Sequence, residues 1–524
     1  MSRIAMPRYQ HNIVRTRDES LGSRRRFLAA LTVMTASFCV PTVVVDAAEQ
    51  NDRVAIAVSA ERDLMRVRME MDVKGNVNVP SDSLISRKSE LTLPIESTAV
   101  LDYEERYRRP IDADPSSEIT AIERYYHEAH STRKLNRSAS DFRLRESVRH
   151  THVRRDSLPE TIYAVDDYFT HEELGLLRVP VSSVAVDQLL PRDTVAVGDK
   201  HRPSCATLAS VLNLTSVETS TVSMRVMDID AAKVKFELSG KVVGSVEGVP
   251  TSLHTVGKLT FDRRIGTTTW LAMAVHETRE IGKAEPGFDV AATIKMVRQP
   301  MPKTVALPVT PDAMAIETEI PQDRLYIDLQ SDKVAVSAIM DRRWRMMADL
   351  SGNAMMRMIE NDRSIAQCNL RPLARLEPGK QWTLEAFQAD VRRTLGKELD
   401  DLVEADQRVS ASGLRVLRIA AHGRVEGVPI QWIMLHFSDD SGRRVLATFT
   451  MSSDSSEAFV GADVQLADSL RLLQTDDAAT SQTTANRSDN AEIGGADAQV
   501  ANASRDRNSS DLRDNEVQSA SDVR

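Results

Sequence analysis

Cysteine is nearly missing from this chain: three occur in 524 residues, Cys39, Cys205 and Cys368. No CxxC pair and no Cys/His cluster is present, which excludes the common zinc-finger spacings and any disulfide framework. Cys39 sits in an apolar N-terminal run, so removal of that run leaves only Cys205 and Cys368. These two can pair in an oxidising compartment; otherwise they are expected as free buried thiols. Aromatic residues are also scarce, at 4% of a chain that is 41% hydrophobic, so its cores must rest on aliphatic side chains and on 20 methionines. Nucleotide motifs are absent: no GxGxxG leads from a strand into a helix, and there is no GxxxxGKS/T. There is no GxSxG elbow either. Ser131 to Lys134 (STRK) matches SxxK and Ser488-Asp489-Asn490 matches SDN, but no KTG follows, and matches this short arise by chance. Positive charge is in deficit, with 67 Lys and Arg against 76 Asp and Glu. A net charge of −9 argues against a general nucleic-acid binder, which needs a basic face to replace phosphate counterions. No motif calls for a cofactor or names a reaction.

What is present begins at the N-terminus. Arg15, Arg17, Arg24, Arg25 and Arg26 precede an uncharged run from Phe27 to Val45, and Val45-Asp46-Ala47 supplies small residues for cleavage after Ala47. The stretch "SRRRFL", with Arg24, Arg25, Phe27 and Leu28, resembles a twin-arginine signal; Ala29 replaces the usual lysine. The resemblance implies export of a folded protein to the periplasm or cell envelope, with residues 1–47 removed. A retained membrane anchor is the competing reading, because about 18 uncharged residues can span a bilayer. Pro41 and the neighbouring threonines and serines argue against it.

Residues 52–298 read as an antiparallel β-meander, expected as a curved sheet or half-barrel. "LMRVRMEMDV" alternates from Leu64 to Val73, and the later strands are separated by glycine turns. Two short helices interrupt them. One is signalled by the capping box of Thr170 and Glu173, the other by "PSCATLASVLNL". Pro300, Pro302, Pro308 and Pro311 mark a linker over 299–320. Residues 321–473 are expected as an antiparallel sheet with packed helices. Thr383 is the N-cap of a helix that aligns Leu384, Phe387, Val391, Leu395 and Leu399, and a last helix follows in "EAFVGADVQLADSLRLL". The fold class expected for the whole is therefore α+β. Residues 474–524 lack large apolar side chains and are expected to be a disordered tail. The motif GxVEGVP occurs twice, at 244–250 and 423–429, and reads as one hairpin turn used in both sheets.

Histidine supplies the metal candidates. His150 and His152 share a face if they lie on a strand; His127 and His130 would share one on a helix. Glu123, Glu128 and Asp141 are near in sequence, and imidazole with carboxylate suits several divalent metals. The arginines around them disfavour a bound cation, so no metal is assigned. The basic stretch Arg133 to Arg155 reads as a strand face whose arginines pair with acids, or as a contact for an anion. The methionine runs near 346 and 356 read as core filler, and Trp344, Trp382 and Trp432 as core anchors.

The order of elements over Leu325 to Leu473 resembles the PsbP-like fold. The cues are an opening strand pair before "DRRWRMMAD", the "LEAFQADVRRTLG" helix, a long hairpin around "VEGVPIQWIMLHF" and a last strand "RRVLATFTM". That resemblance implies an extracytoplasmic adaptor acting through protein contacts; no functional residue is carried over. The whole chain is similar to exported proteins of planctomycete-type bacteria. The first domain resembles the half-barrels of envelope lipoprotein carriers, in which a curved sheet holds an acyl chain. Three functions are thus expected, in this order: a non-enzymatic envelope interaction protein with a protein partner, a carrier of a lipid-like ligand, and a metal-dependent enzyme.

Overall fold

The computed structural model describes residues 53–59, 63–80, 90–108, 119–283, 285–309, 320–459 and 461–473. The expected signal (Arg24, Arg25, Phe27, Leu28, Ala47) and the expected tail lie outside the described residues.

The alternation seen in the sequence becomes very long strands. β1 (Leu64–Pro80), β2 (Glu90–Arg108) and β3 (Ala121–Leu135) run 17, 19 and 15 residues, where about five or six is usual. Short strands follow: β4 (Ser138–Arg143), β5 (His150–Arg154), β6 (Thr161–Ala164), β7 (Lys200–His201), β8 (Ser216–Ser220) and β9 (Ser223–Ile229). Four more long strands complete the set: β10 (Lys233–Val246), β11 (Val249–Asp262), β12 (Thr267–Arg279) and β13 (Gly287–Pro300). They form one sheet of 13 strands in the order β6-β5-β3-β2-β1-β13-β12-β11-β10-β9-β7, with β4 on β3 and β8 on β10. The first and last long strands pair antiparallel at its middle, from Met65 opposite Pro300 to Asn78 opposite Gly287.

This sheet is strongly curved. Phe142 of β4 and Val246 of β10 line the same cavity. Seven strand steps separate β4 from β10, about 34 Å on a flat sheet at about 4.8 Å per step. The concave face is filled at one end by residues 144–214, which carry α1 (His171–Leu177) and α2 (Cys205–Leu212). Leu144, Val148, Leu174, Val184, Leu189 and Leu208 of that segment share a core with Met65, Val67, Leu101 and Phe261 of the sheet. Thr170 and Glu173 form the capping box that starts α1, as the sequence predicts.

The second part of the chain holds two further sheets. β14 (Tyr326–Ser331) and β15 (Val336–Asp341) open it. β16 (Trp344–Leu350), β17 (Asn353–Glu360), β18 (Arg363–Leu373), α3 (Leu384–Leu395) and β19 (Leu399–Val409) follow. Then come β20 (Arg415–Val425), β21 (Val428–Ser438), β22 (Arg444–Ser452), α4 (Ser456–Phe459), α5 (Ala462–Ser469) and β23 (Arg471–Leu472). The sheets are β14-β15-β23 and β16-β17-β18-β22-β21-β20-β19. Their shared core includes Ile327, Val336, Trp344, Met356, Phe449 and Leu466. α3 seals the opposite face: Phe387 and Val391 pack on Leu417, Ile419, Trp432 and Met434.

The fold is mostly β, so the α+β expectation is corrected. Three antiparallel sheets carry the chain, and the five α-helices among the described residues are short, the longest being α3 with 12 residues. The expected final helix breaks at Gly461, which sits at φ 82°, into α4 and α5. In the second part of the chain sheet packs on sheet, with short helices beside that core and on the opposite face. The duplicated GxVEGVP motif does form the same hairpin twice. Glu247 and Gly248 join β10 to β11, Glu426 and Gly427 join β20 to β21, and all four have positive φ, as a type I′ turn requires. The Cys205–Cys368 disulfide that the sequence allows is not formed. Cys205 is exposed at the start of α2, Cys368 is buried in the core between the two smaller sheets, and both are free thiols.

Phe449 anchors that core, edge-on to Trp344 at 5.5 Å and to Phe459 at 5.2 Å between ring centres. Phe449→Ala is expected to lower the unfolding free energy by about 3–5 kcal/mol. Urea denaturation followed by tryptophan fluorescence checks this; a loss under about 1 kcal/mol would mean that the site collapses around the gap.

Candidate functional site

The roofing segment covers only part of the concave face. On β1 the inward side chains Met65, Val67 and Met69 are fully buried, but Met71 and Val73, next on the same face, are only half-buried. β2 repeats the change: Leu101 and Tyr103 are buried, while Ala99 and Ser97 are half-buried. The registers place Ala99 beside Met71, and Ser97 beside Val73. Where the roof ends, a cavity of about 930 Å³ opens on these side chains, within the usual size range of ligand sites. Val275, Leu253 and Val249 extend its floor, and Leu174, Leu176, Val179 and Leu212 form its ceiling.

The mouth is charged. Arg178 contacts Glu247 at 3.1 Å, Arg345 approaches the same carboxylate at 3.8 Å, and Arg279 pairs with Glu277 at 2.6 Å. Arg345 and Met346 come from β16, so the second part of the chain supplies one wall of the mouth. His171 fixes that wall. Its Nε2–H donates to the Trp344 carbonyl at 2.6 Å, and its Nδ1 accepts from Arg345 at 2.5 Å. Burial first, and then the Arg345 charge, push the imidazole down to about 3, so it stays neutral. Further hydrogen bonds tie the same two regions: Arg324 donates to the Val165 carbonyl, Arg342 to the Ile162 carbonyl, and the Asp328 amide to the Phe169 carbonyl.

The four histidines singled out from the sequence do not form one cluster. His127 Nε2 lies 2.6 Å from Glu104, and His130 Nδ1 lies 3.4 Å from Glu128. His150 and His152, on β5, join Glu123 of β3, with ligand atoms of the three within 4.8 Å of one another. Ile122 and Val153 enter the concave core, so strand alternation puts Glu123, His150 and His152 on the convex face. The basic stretch follows its plainer reading. Arg145 holds both oxygens of Glu173, Arg154 pairs with Asp156, and Arg155 with Glu160.

Sequence reasoning missed the cavity residues. Met71, Val73 and Ala99 continue the same alternation as the buried Met65 and Leu101, so nothing local marks them. The only signal is length: strands of 13 to 19 residues outrun a roof whose helices have seven and eight.

His171 makes stability pH-dependent. The folded imidazole resists protonation down to about 3, whereas the unfolded chain takes up a proton near pH 6.5. The unfolded state therefore binds more protons between these values, and stability falls as pH drops through 6.5, by up to about 1.4 kcal/mol per pH unit. His436, held down to about 4 by burial and the Arg444 charge, adds the same sign. Urea unfolding of wild type and His171→Asn between pH 7 and pH 4 is expected to show a shallower pH slope in the variant. An equal slope would mean that folded His171 accepts the proton.

No protein-family model matches this chain, and no curated protein matches it. Among solved structures it is similar to a Bacteroides thetaiotaomicron protein with 10% identity and a TM-score of 0.21, over 28% of this chain and 49% of that one. The chain thus spans about half the length of that relative. It is similar to a point mutant of the protein Mog1 with 9% identity and a TM-score of 0.24, over 29% of this chain and 98% of that one. It is also similar to the cyanobacterial PsbP of Synechocystis sp. PCC 6803 with 11% identity and a TM-score of 0.23, over 30% of this chain and 98% of that one. The cyanobacterial PsbP is thus a weak structural neighbour at low coverage. No helix among the described residues is long and apolar enough to cross a membrane.

Proposed function

We propose that this chain is an exported envelope protein that carries a lipid-like ligand, with the acyl part in the cavity of the large sheet. One observation carries the reading: apolar side chains that continue the core stripe, Met71, Val73 and Ala99, stay half-exposed and line a cavity of about 930 Å³. A sheet built only as scaffold would cover them, because each buried aliphatic side chain contributes about 1.5–3 kcal/mol. An acyl chain would complete that burial, and the arginine–glutamate pairs at the mouth would meet its polar end. Export rests on the twin-arginine-like signal of Arg24, Arg25, Phe27 and Leu28 with cleavage after Ala47, as in exported proteins of planctomycete type.

A second reading is a non-enzymatic interaction module, with residues 321–473 as a PsbP-like adaptor. It draws on β19, an 11-residue strand at the free edge of its sheet with Val403 and Val409 exposed. Such an edge can accept an extended partner segment. The two readings are compatible, since a carrier must hand its ligand to something.

Native mass spectrometry of the protein purified from its own envelope tests the proposal. A chain starting after Ala47 with added mass of a lipid supports it, and a bare chain with a bound protein favours the second reading. In vitro, dansyl-undecanoic acid is expected to bind and gain fluorescence. Ala99→Trp, which fills the floor, is expected to weaken that binding at least tenfold while the urea midpoint changes little. Equal binding by wild type and variant would sink the cavity assignment.

A further inference from the structure

We infer that the convex face of the large sheet holds a divalent-metal site of the zinc class, made by Glu123, His150 and His152. The site lies on the face opposite the cavity and does not depend on it. Pairing of β3 with β5 puts Glu123 directly opposite His152 and Tyr125 opposite His150. His150 and His152 are two apart on one strand, so both rings stand on the same face as the carboxylate. Glu123 Oε1 lies 2.9 Å from His150 Nε2, and ligand atoms of all three residues fall within 4.8 Å of one another. Zinc bonds of about 2.0–2.2 Å in tetrahedral array separate ligand atoms by about 3.4 Å, so small side-chain rotations close the set.

The surroundings orient the carboxylate. Arg108 binds Glu123 Oε2 at 2.6 Å and Arg106 stands 3.7 Å from the same oxygen. Arg108 thus occupies Oε2, and Oε1 faces the His150 imidazole. The ring of His152 stands edge-on to Tyr163 at 5.5 Å, which limits its rotation. Two imidazoles and one carboxylate are a donor set for borderline ions, above all zinc(II). The arginines repel a dication, so the affinity expected is micromolar, well short of that of a structural zinc.

The test uses the full mature chain, dialysed against a chelator and titrated with zinc(II) by calorimetry. One equivalent is expected to bind with micromolar affinity and to raise the melting temperature. His150→Ala with His152→Ala is expected to weaken binding at least tenfold, whereas His127→Ala leaves it unchanged. No binding to wild type, or wild-type affinity in the double variant, overturns the assignment. Should the double variant fail to fold, cobalt(II) on the unaltered chain decides. Visible bands of a nitrogen- and oxygen-ligated four- or five-coordinate ion support the site, and their absence overturns it.

Discussion

The pairing of β1 with β13 is the constraint on which the rest of this structure depends. It joins Met65 to Pro300 and runs without a register shift to Asn78 and Gly287. Closing so long a loop carries an entropic cost that grows slowly with length, and fourteen consecutive residue pairs repay it. The seam welds two meanders, β2–β6 on one flank and β7–β12 on the other, into a single sheet. Without it neither flank would curl toward the other, and the concave face with its cavity would not exist.

The roof of that cavity is held by charge as well as by apolar contact. Glu105 and Arg124 on the sheet meet at 3.2 Å, and Glu105 accepts from Ser183 of the roof at 2.8 Å. Arg298 binds Asp187 of the roof at 2.9 Å and Tyr107 at 3.0 Å; Tyr107 in turn donates to Glu105 at 2.9 Å. These groups are almost wholly buried. Buried ion pairs give little net stability, but breaking one leaves an uncompensated charge at a cost of about 3–5 kcal/mol. The network therefore fixes where the roof sits. It pins residues 182–187 over one end of the sheet and leaves the other end uncovered.

Much of the local structure is legible in the sequence, and the reason is short range. The Thr170–Glu173 box, the Thr383 cap and the two GxVEGVP hairpins each depend on residues within about seven positions of one another. The fold class goes astray at a larger scale. Helical spacing in "EAFVGADVQLADSLRLL" is real, but Gly461 divides it into two short helices that share one core with β14 and β15. The histidines go astray in grouping. His127 and His130 are close to each other in sequence yet pair with Glu104 and Glu128, whereas Glu123 reaches His150 across β3 and β5. Strand register decides such contacts, and composition does not carry register.

The two faces of the large sheet are tied to the rest of the chain differently. On the convex face Glu104, fully buried, accepts the amides of Val305 and Ala306 at 2.9 and 3.0 Å and faces His127. Burial favours its neutral form, but these donors keep the carboxyl below its usual range. The stretch read as a linker is docked on the sheet where it leaves β13. On the concave side, His171 and Arg345 hold β16 against the cavity mouth. A chain fastened at both places fixes the β16 wall relative to the floor made by Met71 and Ala99. The width of the mouth is then set by few contacts, and one of these, the His171 bond to Arg345, requires a neutral imidazole.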